Sequence, residues 1–154
     1  MTVLFVDDEP RILSALERGM AKESFRRRYA QGWKEALEVI AATSIHVVVA
    51  DMKMPGMDGL TFLRQVKKIS PHTVRVVLSG FLFVSQIIPC INTGEVFRYV
   101  TKPLDIRDLV QILHEAMNRY YLRKEYENKL EKLMAENCDL RKSLMNNSNK
   151  VTNN

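Results

Sequence analysis

The chain has 154 residues, 46% of them hydrophobic, and a formal net charge of +5. This length suits one domain of ordinary size with an appendage, and no apolar run approaches the ~20 residues of a membrane span. The charge is spread along the chain, which favours a solvated basic surface over a nucleic-acid-binding patch. Cys90 and Cys138 match no metal or redox motif. With no signal peptide before the first strand-like run, we expect reduced thiols and a cytoplasmic protein.

Short apolar runs that predict strands alternate with helical patterns through most of the chain. The runs cover residues 3–6, 47–50, 74–78 and 97–100, and residues 26–31 are a further candidate strand. Three consecutive arginines favour an exposed edge for that candidate, because edge strands commonly carry charge. Helical spacing predicts helices after Pro10, after Gly32, across residues 60–66 and from residue 106. The alternation predicts an α/β fold, a doubly wound parallel sheet with helices on both faces.

Several predicted strands end in polar residues that can perform chemistry. Asp7 and Asp8 follow the first apolar run, Asp51 ends the run at 47–50, Ser79 follows the next, and Lys102 follows the last. The carboxyl ends of parallel strands meet at one edge of a sheet, where open α/β sheets bind their ligands. We therefore expect these five side chains to lie close together.

The collected groups indicate phosphoryl transfer to a carboxylate. Converging carboxylates repel one another, and a hard cation such as Mg²⁺ relieves that repulsion through oxygen ligands. A lysine supplies a point charge for a phosphoryl oxygen, and a serine hydroxyl can hydrogen-bond another. The acceptor would be a carboxylate, which would become an acyl phosphate. Each group alone could be an ordinary strand-end residue, but five at one edge favour a common site.

The motifs VLFVDDEP, VVVADMKMPGMDG, VVLSG and FRYVTKP resemble the receiver domain of two-component response regulators over roughly residues 2–118. The resemblance implies the CheY-like fold, a five-stranded sheet of order 2-1-3-4-5. It also implies that Asp51 is the phosphoacceptor. Asp7 and Asp8 would hold Mg²⁺ together with Asp51 and the backbone carbonyl of Lys53.

The same resemblance assigns the remaining site residues and the partner. Ser79 would be the switch hydroxyl, Tyr99 the aromatic switch residue and Lys102 the partner of the phosphoryl group, with Pro103 after a cis peptide bond. The phosphodonor would be a histidine kinase or a phosphotransfer protein, and the changed surface that of the fourth helix, fifth strand and fifth helix. The segments DEP, DMKMPGMDG and INTGEVFRYVTKP are also similar to receivers that precede HD-GYP cyclic-dinucleotide phosphodiesterases.

Residues 81–92, FLFVSQIIPCIN, should form the fourth helix but contain Pro89. Proline breaks or kinks a helix interior, so the helix either begins near Pro89 or bends. The segment carries more apolar side chains than one helix face can bury. They either extend the core or form an exposed patch for a partner. On the second hypothesis, Phe83→Ser or Ile87→Ser would weaken association without unfolding the domain.

The last helical pattern runs past the end of a receiver. A 4-3-4-3-4 spacing relates Tyr126, Leu130, Leu133, Asn137, Leu140 and Leu144. This heptad seam predicts a coiled-coil homodimer, and an Asn at an a position specifies a parallel pair in register. Glu136 could pair with Arg141 of the second copy, and a stutter is expected between residues 117 and 126. The alternative is a solvated amphipathic helix that docks on its own domain.

The predicted organisation is a receiver at 1–118, a helical extension at 119–146 and a disordered tail at 147–154. DNA binding by the extension is disfavoured, because glutamates interleave its basic residues. The favoured function is a phosphorylatable, dimeric switch without catalytic output of its own. The alternative is the N-terminal regulatory fragment of a larger effector, such as an HD-GYP phosphodiesterase. A phosphatase-like hydrolase that uses Asp51 is disfavoured, since no further substrate pocket is evident.

Overall fold

The computed structural model describes the backbone of residues 1–151 and the side chains of residues 1–146. The chain divides into two compact units, Met1–Tyr120 and Tyr121–Asn154. This division lies close to the predicted boundary at residue 118, while the assignment of the segments to functions stays a prediction. The predicted disordered tail, 147–154, falls outside the residues whose side chains are described.

The first unit is a parallel five-stranded sheet flanked by helices. The elements are β1 (Thr2–Val6), α1 (Pro10–Gly19), β2 (Arg26–Ala30), α2 (Trp33–Ala42), β3 (Val47–Asp51), α3 (Gly59–Ile69), β4 (Val74–Ser79), a 3-10 helix (Phe81–Phe83), α4 (Val84–Asn92), β5 (Arg98–Thr101) and α5 (Ile106–Val151). The strands lie in the order β2-β1-β3-β4-β5, and every pair is parallel. The predicted doubly wound fold and its strand order are confirmed. No helix in the described part of the chain is both long and apolar enough to cross a membrane.

Alternate residues of the central strands face opposite sides of the sheet, as the period of a strand requires. In β1, Leu4 and Val6 belong to one buried cluster, with residues of α2, α3 and α4. Val3 and Phe5 belong to the other, with residues of α1 and the start of α5. Burial on both faces explains why these strands are continuously apolar rather than alternating. The arginine-rich β2 lies at the edge of the sheet, as predicted.

The segment 81–92 divides between core and surface. A 3-10 turn precedes α4, which begins at Val84 and contains Pro89, so the prediction of a start near Pro89 is wrong. Ile87 is fully buried, whereas Phe81 and Leu82 are 83% and 87% exposed. The expectation that Ile87→Ser would leave the domain folded is therefore also wrong, because Ile87 belongs to the same buried cluster as β3 and α3.

The second unit is helical, and its apolar stripe is exposed. The seam residues Leu130, Leu133, Leu140 and Leu144 have exposed fractions between 46% and 66%. Nothing among the described residues of this unit covers them.

Candidate functional site

The ends of β1, β3, β4 and β5 carry the candidate site residues to one edge of the sheet. Asp7 directly follows β1, and its backbone N–H donates to the carbonyl of Ala30. Asp51 is the last residue of β3 and Ser79 the last of β4. Lys102 follows β5, and its backbone N–H donates to the carbonyl of Ser79 over 2.9 Å. The hydrogen bonds of the sheet thus fix the main-chain positions of these four residues, from which their side chains extend.

Three carboxylates converge at this edge. Oxygen atoms of Asp7, Asp8 and Asp51 lie within 4.8 Å of one another, so one oxygen from each could meet the same ion. Asp7 is fully buried, Asp51 is 6% exposed and Asp8 is half-buried. Hard oxygen donors of this kind suit Mg²⁺, which binds through one or two carboxylates and water. The donor set therefore fits the predicted cation.

Burial raises the pKa of the Asp7 carboxyl above its ordinary value. The N–H of Glu9, which donates to Asp7 Oδ1 over 2.9 Å, and the ammonium of Lys102 act in the opposite direction. The charge of Asp51 adds to the increase. Burial and a neighbouring carboxylate both disfavour the ionised form of a carboxyl group. A bound cation offsets both effects, so such a pair of carboxylates favours cation binding.

Lys102 supplies a cation from the protein itself. Its Nζ lies 2.8 Å from Asp51 Oδ1 and 3.2 Å from Asp7 Oδ2. Burial acts to lower the pKa of this ammonium, but the hydrogen bond to Asp51 and the two negative charges together raise it. Lys102 is thereby held charged between the two carboxylates. The peptide bond between Lys102 and Pro103 is cis, as predicted.

The remaining residues of the predicted site differ in what they contact. The backbone N–H of Lys53 donates to Asp51 Oδ2 over 3.1 Å. Ser79 is buried, and its hydroxyl donates to the carbonyl of Gly80 over 2.9 Å. Tyr99 is half-buried and packs against the core cluster on the α3 side of the sheet. Neither Ser79 nor Tyr99 lines the cleft above the carboxylates.

That cleft encloses about 580 Å³. Besides the expected Asp8, Asp51, Lys53 and Lys102, its lining includes Glu9, Met52, Met54, Pro55, Gly80 and Phe83. Sequence reasoning did not assign these residues to the site. Their positions beside the predicted ligands in DDEP, DMKMP and SGFLF were a usable signal, because a strand-end site draws its walls from the loops that follow the strands.

The family model for the response regulator receiver domain matches residues 3–114. Among curated proteins, the chain is 33% identical over 126 residues to the hydrogenase transcriptional regulatory protein HoxA of Bradyrhizobium diazoefficiens, covering 82% of this chain and 26% of that protein. It is 29% identical over 126 residues to the DNA-binding transcriptional regulator NtrC of Escherichia coli, covering 82% and 27%. The chain spans about a quarter of the length of these relatives.

Solved structures share the fold. A protein described as an adenylate cyclase from Rhodopirellula baltica superposes with a TM-score of 0.81 at 30% identity, covering 85% of this chain and 97% of that one. The signal receiver domain of an HD domain-containing protein from Pseudomonas fluorescens gives 0.74 at 29% identity, covering 80% and 91%. A receiver domain protein from Clostridium thermocellum gives 0.73 at 32% identity, covering 79% and 97%.

Proposed function

Because the chain belongs to the family of response regulator receiver domains, we propose that Asp51 accepts a phosphoryl group from a histidine kinase or phosphotransfer protein. The observation that carries this proposal is the environment of the Asp51 carboxylate. It opens onto a cleft, and an ammonium group lies 2.8 Å from one of its oxygens. In the transfer, the P–N bond of a phosphohistidine breaks, and a P–O bond forms to a carboxylate oxygen of Asp51.

The other groups would place and neutralise charge during the transfer. Asp7 and Asp8, with Asp51 and the backbone carbonyl of Lys53, would hold Mg²⁺. When bound, this ion neutralises negative charge on the phosphoryl group. Lys102 would exchange a carboxylate contact for a phosphoryl oxygen, and its existing contact with Asp51 supports this role.

Ser79 and Tyr99 would convert phosphorylation into a change of surface. Phosphorylation adds close to two negative charges and new hydrogen-bond acceptors. The Ser79 hydroxyl, which donates to its neighbouring carbonyl, would turn towards a phosphoryl oxygen, and Tyr99 would move inward. The surface formed by α4, β5 and α5 would then shift between two packings.

Replacement of Asp51 tests the phosphoacceptor assignment. Asp51→Asn keeps the shape of the side chain and removes the carboxylate nucleophile, so labelling by a small phosphodonor with Mg²⁺ should fall to background. Asp139→Asn is the matched control, because it makes the same change at an exposed residue of the second unit. Undiminished labelling of Asp51→Asn, measured by phosphate-affinity electrophoresis, would refute the assignment.

We further propose that the chain acts as a signalling switch without catalytic output of its own. The curated relatives are transcriptional regulators several times its length. The second candidate is the regulatory part of a larger effector such as an HD-GYP phosphodiesterase, supported by the likeness to the receiver of an HD domain-containing protein. An open reading frame that continues past the codon of Asn154 into an effector domain would decide for the second candidate.

The exposed seam of the second unit supports a homodimer as the form of the switch. Leu130, Leu133, Leu140 and Leu144 repeat at the spacing of a coiled coil, with Asn137 at an a position. A parallel pair would cover these exposed side chains and place Glu136 of one helix near Arg141 of the other. Because these two positions carry opposite charges, a second copy of the helix is favoured over an unrelated apolar surface as the partner that covers the seam.

A further inference from the structure

The loop of residues 52–58, between β3 and α3, forms one wall of the cleft. Met52, Lys53, Met54 and Pro55 line the cavity beside Asp51. The loop carries the Lys53 backbone, whose N–H donates to the carboxylate of Asp51. Two of the residues that hydrogen-bond to the loop, Trp33 and Gly59, do not themselves line the cleft.

Gly59, the first residue of α3, holds one end of this loop by close backbone approach. Its N–H donates to the carbonyl of Met52 over 2.8 Å. A Cβ at Gly59 would overlap the carbonyl oxygen of Asp51 and lie 2.9 Å from the Cα of Met52. Both of those atoms belong to the main chain, so a side chain at Gly59 would have to displace the backbone that carries the phosphoacceptor.

Trp33, the first residue of α2, holds the middle of the loop. Its indole N–H donates to the carbonyl of Pro55 over 3.1 Å. At the neighbouring Gly56, φ is +80°, and a Cβ there would lie 3.5 Å from the indole nitrogen. The ring also packs against the buried cluster of β3 and α3. The indole thus couples α2 to the loop through a directional bond.

We infer that Trp33 and Gly59 are positioning residues for the metal and phosphoryl site: together they hold the 52–58 loop in the conformation that presents Asp51 and the Lys53 backbone to the cleft. The inference rests on the proposed function, since it concerns the same site. The competing account is that Met52 and Met54, which are 5% and 7% exposed, anchor the loop by burial alone. On that account, Trp33 and Gly59 would affect stability and leave metal affinity unchanged.

Trp33→Phe removes the indole N–H and keeps an aromatic ring. We expect its dissociation constant for Mg²⁺, measured by calorimetric titration of the full chain, to rise about two- to tenfold, as for the loss of one neutral hydrogen bond. Tyr121→Phe is the matched control, because it removes one donor from an exposed aromatic residue of the second unit. Its dissociation constant should equal that of the wild type.

Gly59→Ala tests the other contact. We expect its dissociation constant for Mg²⁺ to rise more than about tenfold, because main-chain atoms at the site must move. Gly19→Ala is the matched control, since its Cβ would meet the side chain of Ile106 at 2.7 Å, far along the chain from the loop. Trp33 is the sole tryptophan of the sequence, so its fluorescence in Gly59→Ala reports independently on the loop.

Thermal unfolding without Mg²⁺ distinguishes an effect of the substitutions on the geometry of the site from an effect on the stability of the whole domain. Wild-type dissociation constants in both Trp33→Phe and Gly59→Ala, with lowered melting temperatures, would overturn the inference in favour of a purely structural role. If Gly59→Ala does not unfold cooperatively, Trp33→Phe decides alone. A wild-type protein that binds Mg²⁺ but is not labelled at Asp51 would refute the proposed phosphorylation and leave the positioning result standing. A wild-type protein that does not bind Mg²⁺ would overturn both.

Discussion

Lys102 shows how one residue can balance several like charges. Two carboxylates, of Asp7 and Asp51, share its ammonium at 3.2 Å and 2.8 Å, in surroundings that are largely removed from water. A buried carboxylate without such a partner would take up a proton instead. The lysine therefore places one positive charge beside both carboxylates. The sequence could predict this meeting because each of the three residues ends a strand or directly follows one.

His46 is a second residue whose protonation state the fold constrains. Its Nδ1 accepts the backbone N–H of Thr2 over 3.0 Å, which requires that nitrogen to be unprotonated. Burial lowers the pKa of His46 below its ordinary value. As the pH falls, His46 therefore becomes protonated near pH 6.5 in the unfolded chain and only at a lower pH in the folded chain.

We predict that the contribution of His46 to the free energy of unfolding falls as the pH drops from 7.5 to 5.5. The contribution of His46 is fully present above about pH 6.5 and is lost as the pH falls through the lower pKa of the folded state. His46→Asn removes the titration and keeps an acceptor for Thr2, so its stability should fall less over this range. Urea denaturation at the two pH values measures the difference, and equal losses in both proteins would contradict the prediction.

Trp33 and Gly59 mark the limit of prediction from sequence at this scale. The acids could be predicted because they end apolar runs, and topology brings the ends of parallel strands together. A lone tryptophan at a helix start and a glycine in a turn motif have no such rule. Their contacts with the 52–58 loop depend on the packing of α2 and α3, which becomes visible only in three dimensions.

At the scale of elements, the strands were predicted to within a residue or two, while one of the two alternatives for α4, a start near Pro89, was wrong. Strands buried on both faces leave a clear mark, a run of apolar residues between polar ones. In α4, buried and exposed apolar residues follow one another, and Pro89 suggested an interruption where the helix continues to Asn92. Apolar content alone could not separate Ile87, in the core, from Leu82, at the surface.

We predict opposite outcomes for these two residues. Ile87→Ser leaves a cavity and a buried hydroxyl in the core and should lower the free energy of unfolding by about 3–5 kcal/mol. Leu82→Ser changes a side chain that is 87% exposed and should alter it by less than about 0.5 kcal/mol. Guanidinium denaturation of each variant provides the comparison, and similar losses for both would show that the 3-10 turn is packed in solution.

At the scale of the whole molecule, the proposed dimer can be tested through the seam. Leu133→Glu with Leu140→Glu places like charges at two d positions, so sedimentation equilibrium should show a monomer where the wild type is a dimer. Lys132→Glu, a change of charge at an outer position, is the control and should leave the mass unchanged. A wild type that is monomeric both with and without beryllofluoride would exclude the seam as a dimer interface. The signal would then have to pass to a different protein.

The arginine-rich edge strand has a consequence for how the protein behaves in concentrated solution. No strand of the described sheet pairs with the outer side of β2, so another sheet edge could pair there. Two copies approaching this side would bring the exposed Arg26 and Arg28 of each against those of the other. Salt at 0.15 M confines this repulsion to a range of about 8 Å, and higher salt shortens it further. Colloidal stability should therefore be greatest in dilute buffers, and storage at high ionic strength should promote slow edge-to-edge aggregation.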